Sequence, residues 1–218
     1  MTRPRLVAGV WKELLRHALT LIDEIARHGG AEPFWTLGGG TVLMLRYRHR
    51  RSRDIGIFVP DPQSLGYVTP RLSPVAEAIS ADYVEEAGHV KLIRPDGEID
   101  FVAAPNLTAP AFEVWRIDGR EVRAETAVEI IAKKMWHRGA TATGRDLFDL
   151  ALVIEHERRA LARAGRFLVR HREAFLAQLH SREAVLRAQF DAIDAMRYRP
   201  TYDQCVRRVA RFLRGLAG

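Results

Sequence analysis

One cysteine, Cys205, stands in a chain of 218 residues, so the chain cannot close an internal disulfide, and its thiol argues against a structural zinc site. A small buried residue on the last helix is its expected role. No apolar run approaches 18 residues and no secretory leader is evident, so the reading is no membrane partner and a cytoplasmic protein. Of the eight histidines, which include His17, His28, His49, His137 and His156, none falls at HxxxH or another ligand spacing, which argues against a histidine metal site. Repeats and low-complexity segments are absent too. Lysine is scarce: 30 of the 34 basic residues are arginine.

What the chain does contain is enough apolar matter for a core. With 47% hydrophobic residues it can fold as one compact unit or two small domains. Charge is distributed unevenly. Residues 1–125 hold 16 basic and 17 acidic side chains, whereas residues 126–218 hold 18 and 10, so the net +7 arises entirely in the C-terminal part. Arginine forks bidentately onto phosphate, and such a basic helical region suits a polyanionic acceptor such as RNA, with tRNA and DNA not distinguished by charge. An arginine-rich solvated helix surface accounts for the same composition.

The richest stretch is LGGGTVLMLRYRHRRSRDIGIF, residues 37–58. Gly38, Gly39 and Gly40 would let backbone N–H groups approach phosphate, and Thr41 is expected to cap a helix whose N-terminus carries positive partial charge. Asp54 then opens an apolar run, 55–59, that reads as a buried strand. Upstream, the spacing of Trp11, Leu14, Leu15, Ala18, Leu21, Ile22 and Ile25 predicts a packing helix ending at Gly29-Gly30. Residues 34–37 read as a short strand, 42–47 as a helix, 60–74 as a loop, and 75–80 as a short helix. Residues 89–94 and 98–103, joined by Pro95-Asp96-Gly97, read as a hairpin with Ile99 and Phe101 on one face and Glu98, Asp100 and Val102 on the other. Glu121-Val122-Arg123 closes the sheet region. Thr126 and Glu129 read as a capping box before a helix that stops at Gly139, with Lys134 and Arg138 on one face alongside Ala127 and Ile131. A helix opening at Gly144 carries Asp146 in its first turn, where it suits the dipole and has a plain capping role available. Beyond residue 155 the chain reads as helices, with Ser181 and Thr201 as N-caps and Pro200 as a separator.

Taken in order, Gly39-Gly40-Thr41, HRRSRDIGIF, GEIDF at 97–101, Ala132-Lys133-Lys134 and GRDLFDLA at 144–151 resemble the AbiEii/AbiGii nucleotidyltransferase toxins of the DNA polymerase β-like nucleotidyltransferase superfamily, over residues 30–155. The resemblance implies an α+β fold: a nucleotidyltransferase-like mixed sheet flanked by helices in residues 1–125, then a helical C-terminal half, 126–218, carrying basic phosphate-binding motifs. It also implies transfer of a nucleotide from an NTP, with Mg²⁺, to an RNA (tRNA-like) or protein hydroxyl, and a cognate antitoxin as partner. In that pattern Asp54 and Asp100 hold metal and Asp100 helps deprotonate the attacking hydroxyl. Gly39, Gly40 and Thr41 take the phosphates. Lys134, Arg138 and Arg145 answer the triphosphate charge, Lys133 stands in reserve, and Asp146 positions Lys134 or Arg138.

One position departs from the pattern. The family has Asp-x-Asp after the glycine turn, and here the second position is Gly56. Alternation puts Asp54, Gly56 and Phe58 on one face, so Gly56 removes a carboxylate where Mg²⁺ wants hard oxygen ligands. Three readings are open: a deliberately inactivated variant of a toxic enzyme, a natural degenerate member, or a site in which another acid such as Glu98 substitutes. The ligand argument favours the first two. A non-catalytic nucleotide- or RNA-binding module is the competing class, and small-molecule transfer a weaker third, since a neutral or cationic acceptor needs no basic surface.

Overall fold

A computed structural model describes residues 9–29 and 33–217. Gly30, half of the expected helix stop, and residues 1–8, on which the leader expectation falls, lie outside the described residues. The chain divides into two compact units. The first comprises the described residues of Met1–Arg46, Ser52–Asn106 and Phe112–Glu125; the second comprises those of Tyr47–Arg51, Leu107–Ala111 and Thr126–Gly218.

The first unit is built on a seven-stranded mixed sheet. Its strands are β1 (Thr36–Gly38), β2 (Ile55–Val59), β3 (Tyr83–Glu86), β4 (His89–Arg94), β5 (Gly97–Ala103), β6 (Phe112–Ile117) and β7 (Arg120–Glu125), in the order β3-β4-β5-β2-β1-β7-β6. β2 runs parallel to β5 and β1 parallel to β7, and the other pairs are antiparallel. Strand alternation decides the faces. Ile55, Ile57 and Val59 of β2 and Ile99 and Phe101 of β5 are buried, while Gly56, Phe58, Glu98, Asp100 and Val102 are only partly so. α1 (Trp11–Gly29) packs on β2 and β5, and all seven residues of its apolar stripe are buried. Each large apolar side chain so buried stabilises by about 1.5–3 kcal/mol.

α2 (Gly39–Tyr47) follows β1 directly, and α3 (Pro74–Ile79) is capped by Ser73, whose side chain accepts the Ala76 N–H. The 60–74 segment, expected as loop throughout, contains a 3₁₀ turn at Pro62–Tyr67 started by an Asp61 cap. β3 and β6 lie at the two sheet edges. β6 turns into β7 through Asp118-Gly119, both at positive φ, the backbone that a tight hairpin requires.

The second unit is helical: α4 (Ala127–Arg138), α5 (Gly144–Arg163), α6 (Gly165–Leu168), α7 (Arg172–Ser181), α8 (Glu183–Asp191) and α9 (Tyr202–Arg214). α5 packs against α4, α8 and α9. Its Phe148 meets Phe190 and Tyr198 edge to face, and Phe190 meets Tyr202. Cys205 is fully buried on α9, where burial pushes its thiol up to about 12.

Two expected caps change. Thr126 accepts the Glu129 N–H, but the Glu129 carboxylate does not return to the cap: it is fully buried and accepts from the Leu107 and Thr108 N–H groups and the Thr108 hydroxyl. Three donors on a buried carboxylate outweigh the single cap N–H. Ser181 is the last residue of α7, and α8 starts from Arg182 without a side-chain cap. The Thr201 cap is present, as a full box with Gln204. No helix among the described residues is long and apolar enough to cross a membrane.

Candidate active site

In the first unit, pairing lines up one row of residues across adjacent strands. Gly38 of β1 faces Gly56 of β2, Gly56 faces Asp100 of β5, and Asp100 faces Lys91 of β4. Asp54 lies two residues before Gly56, so alternation returns it to the same face. Its Oδ1 accepts the Glu98 N–H at 3.4 Å. The Asp100 Oδ1 lies 2.8 Å from the His89 Nε2 and 3.8 Å from the Lys91 Nζ. Asp100 keeps 25% of its side chain exposed.

The two glycines of the row differ. A Cβ on Gly38 would meet the Glu125 Oε2 at 2.2 Å and the Phe58 Cε2 at 2.6 Å, so glycine is required there by packing. A Cβ on Gly56 would meet the Phe58 Cε2 at 3.4 Å and the Gly38 carbonyl oxygen and carbon at 3.7 and 3.8 Å, which is ordinary contact. Packing therefore does not require glycine at 56 as it does at 38. Glu125, for which no sequence signal spoke, is fully buried beside Gly38 and accepts the Thr36 hydroxyl at 2.9 Å.

Gly39 has φ +75, a backbone conformation that only glycine adopts without strain, and this turn lets α2 start at once after β1. Thr41 is the third residue of α2, not its N-cap. Its hydroxyl is fully buried and donates to the Asp54 carbonyl at 2.5 Å, so its side chain ties the helix to the start of β2. Glu98 accepts from Lys91 at 2.7 Å; desolvation would lower the ammonium pKa, but Glu98 and Asp100 outweigh it and raise it. Glu98 is therefore already engaged and is no ready substitute for a carboxylate at 56. Asp54 and Asp100 give the face two carboxylates, a donor set that fits Mg²⁺ in reduced form, since Mg²⁺ uses one or two carboxylates together with substrate phosphates and water.

The second unit holds a separate ionic cluster centred on Asp149, for which spacing gave no signal. Fully buried, it accepts Arg50 bidentately, Nε and Nη2 each at 2.8 Å, together with Lys134 Nζ at 2.5 Å and His49 Nε2 at 2.9 Å. Burial by itself would raise its pKa, but Arg50 and Lys134 outweigh that and hold it well below the carboxylate range. Desolvation pushes His49 down, so a neutral ring with its proton on Nε2 serves as donor. Lys134 also lies 3.0 Å from Asp146 Oδ1, to which Arg138 Nη2 donates at 2.5 Å. Asp146 closes a capping box with Thr143 as well. Burial raises its pKa, yet Lys134 and Arg138 bring it down to about 2.

Thus Asp146 both caps α5 and positions Lys134 and Arg138. Lys133 is buried against Glu129 at 3.5 Å and so leaves the reserve role unfilled. Arg145 is exposed on the first turn of α5. Against the two carboxylates stand Arg50, Lys134 and Arg138, leaving a net positive charge with His49 neutral, and Arg138 keeps 51% of its side chain exposed.

The model of the family described as nucleotidyl transferase AbiEii toxin, type IV TA system, matches residues 21–214. No curated protein sequence matches the chain. Among solved structures, the nucleotidyltransferase toxin MenT4 of Mycobacterium tuberculosis H37Rv is similar at 18% identity and a TM-score of 0.53, covering 95% of this chain and 85% of that one. JHP933 from Helicobacter pylori is similar at 18% identity and a TM-score of 0.50, covering 94% of this chain and 89% of that one. At such identity these likenesses bear on the fold alone. With the glycine turn, both carboxylate strands and the lysine and GRDLFDLA helices all inside the matched residues, the chain belongs to the AbiEii nucleotidyltransferase toxin family.

Proposed function

We propose that this toxin-family nucleotidyltransferase transfers a nucleotide from an NTP to a hydroxyl of an RNA acceptor, tRNA being the first to test, and that Gly56 makes the transfer slow. The observation that carries this reading is the row Gly38–Gly56–Asp100, in which a family carboxylate is absent at a position where a Cβ meets only ordinary contacts. A protein hydroxyl is the other acceptor class, and the net +8 of residues 126–218 favours the polyanion. The family pairs such toxins with a cognate antitoxin, which we expect as a protein partner.

The roles divide by chemistry. Asp54 and Asp100 would hold Mg²⁺, which, when bound, supplies positive charge to the triphosphate. Asp100 is also placed to accept the proton of an incoming hydroxyl, with His89 at 2.8 Å orienting the carboxylate. The backbone N–H groups of Gly39, Gly40 and Thr41, at the start of α2, offer donors and a positive dipole end to phosphate. In the second unit the reading gives Lys134, Arg138 and Arg145 to the charge of the leaving pyrophosphate. Asp146 fixes the first two in place, and this support comes from within that unit.

Gly56 also favours a second reading, a degenerate member that binds nucleotide or RNA without transferring. The two separate in one experiment: transfer of label from each of the four NTPs to total tRNA with Mg²⁺, by the unaltered chain and by Gly56→Asp. We expect label on tRNA with Gly56→Asp and little without it. Equal rates for the two would sink the impairment, and transfer by neither would favour the binding module.

A further inference from the structure

Four arginines and Gln204, the capping partner of Thr201, line one surface depression on α5 and α9. Arg158, Gln204, Arg207, Arg208 and Arg211 enclose about 400 Å³, and no acidic or apolar side chain contributes to the lining. Such a concentration of like charge repels itself and persists only where solvent or an anion screens it.

The arginines are not equivalent. Arg208 is fixed from below, donating to the Tyr198 hydroxyl at 2.6 Å and pairing with Glu155 at 2.8 Å. Arg158 lies with its guanidinium 5.4 Å from the Phe212 ring centroid, a contact that orients it without neutralising it. Arg207 and Arg211 are exposed and have no carboxylate partner among the described residues. They stand one helical turn apart, and Arg214 continues the line, so three guanidinium groups fall along about 10 Å of α9. Opposite them on α9, Tyr202, Cys205, Val209, Phe212 and Leu213 are buried, which fixes the arginines outward. Some exposed arginines elsewhere are paired, as Arg71 is with Glu85 and Arg116 with Glu121, and others such as Arg16 and Arg53 stand singly rather than in a row.

We propose that this α5–α9 arginine surface is the docking site for the phosphate backbone of the RNA acceptor. The proposal deepens the transfer reading and rests on it for the identity of the acceptor. Arg207, Arg211 and Arg214 also border a neighbouring depression with apolar lining from Leu176, Leu179, Val206 and Ala210, and two points favour RNA backbone over an acidic polypeptide. Planar guanidinium forks match phosphate oxygens bidentately. A row of cations at helical spacing suits a repeating charge rather than a single anion. Binding is of phosphate and not of base, so the surface is expected to hold RNA with little sequence preference.

The test is NTP-free binding of a fluorescent 20-nucleotide single-stranded RNA, and separately of total tRNA, by anisotropy between about 50 and 200 mM salt. Arg158→Gln/Arg207→Gln/Arg211→Gln is compared with a control of equal charge change, Arg27→Gln/Arg71→Gln/Arg116→Gln, with circular dichroism to verify that both are folded. Should the triple variant misfold, the single charge reversal Arg211→Glu, at an exposed position, replaces it. The expected result is a loss of about tenfold or more with the α5–α9 variant, a slope of log K against log salt shallower by roughly 2, and near-unaltered binding by the control. Equal losses in both variants, or no loss in either, would overturn the proposal. So would displacement of RNA by millimolar inorganic phosphate irrespective of RNA length, which marks a single-anion site, or by polyglutamate as efficiently as by RNA, which marks a protein surface. RNA held by this face while Gly56→Asp transfers no nucleotide would remove the transfer reading and leave the docking site; transfer to RNA bound independently of these arginines would do the reverse.

Discussion

Aspartates occur in two settings in this protein, and the contrast separates a site from a scaffold. On the sheet of the first unit, Asp100 is one-quarter exposed, touched by His89 on one oxygen, and next in register to Gly56. In the second unit Asp149 is sealed from water and saturated by Arg50, Lys134 and His49, and Asp146 by Lys134, Arg138 and its own cap. A carboxylate with spare lone pairs and exposure can take up a cation or a proton; one whose lone pairs are filled by buried cations can only hold those cations in place. On the proposed function Asp100 is the carboxylate with the capacity to act, and the Asp146 and Asp149 pairs are support internal to the second unit.

The largest expected effect breaks the support. Asp149→Ala removes the bidentate partner of buried Arg50 and one of the two carboxylates at Lys134, which costs about 3–5 kcal/mol. A fall in Tm of roughly 10 °C in thermal unfolding is expected, whereas Asp100→Ala, at a partly exposed position, is expected to shift Tm by only a degree or two. Comparable losses for the two would erase the distinction.

Acid sharpens it. Asp146 has its pKa lowered to about 2 from an ordinary 3.8, so its stabilising contribution is complete above the ordinary value and fades as pH falls from about 4 towards 2. That shift corresponds to roughly 2 kcal/mol. Denaturant midpoints measured from pH 5 to pH 2 are expected to fall less steeply for Asp146→Asn than for the unaltered chain. Parallel curves would mean that the ion pairs of Asp146 contribute nothing to stability.

A smaller effect sharpens the contrast within the sheet. Gly38→Ala pushes a methyl group into Glu125 and Phe58 and is expected to lose about 1–3 kcal/mol. Gly56→Ala meets only ordinary contacts and is expected to lie within about 0.5 kcal/mol of the unaltered chain, since a Cβ also removes the entropy that glycine loses in a strand. Urea unfolding of the two variants would reveal whether position 56 is as open as the spacing implies.

Much of this was legible in the chain because it is local. The stripe of α1, the β4–β5 hairpin and the alternation that sets Gly56 beside the carboxylates all follow from periods of 3.6 and 2. The four-residue step put Lys134 and Arg138 on one face, and the family resemblance, not spacing, joined Asp146 to them. What stayed hidden depends on distance in sequence. Asp149 is joined to His49 and Arg50 from 100 and 99 residues away, and no spacing rule links them. The Thr126 box fails for the same reason, because the 107–108 segment, more than 20 residues upstream, captures Glu129. β6 is different: Asp118-Gly119 is a local hairpin signal, strong enough to have placed β6 and β7 without coordinates.

The most direct test of the account asks whether Asp54, position 56 and Asp100 act as one unit. Nucleotide transfer to tRNA is measured for the unaltered chain, Gly56→Asp, and Gly56→Asp/Asp100→Asn. The account predicts that the first substitution raises the rate by at least roughly tenfold to 100-fold, the range that even indirect supports of a metal site command, and that the second returns it to the starting level. A double variant that transfers as fast as Gly56→Asp would contradict it.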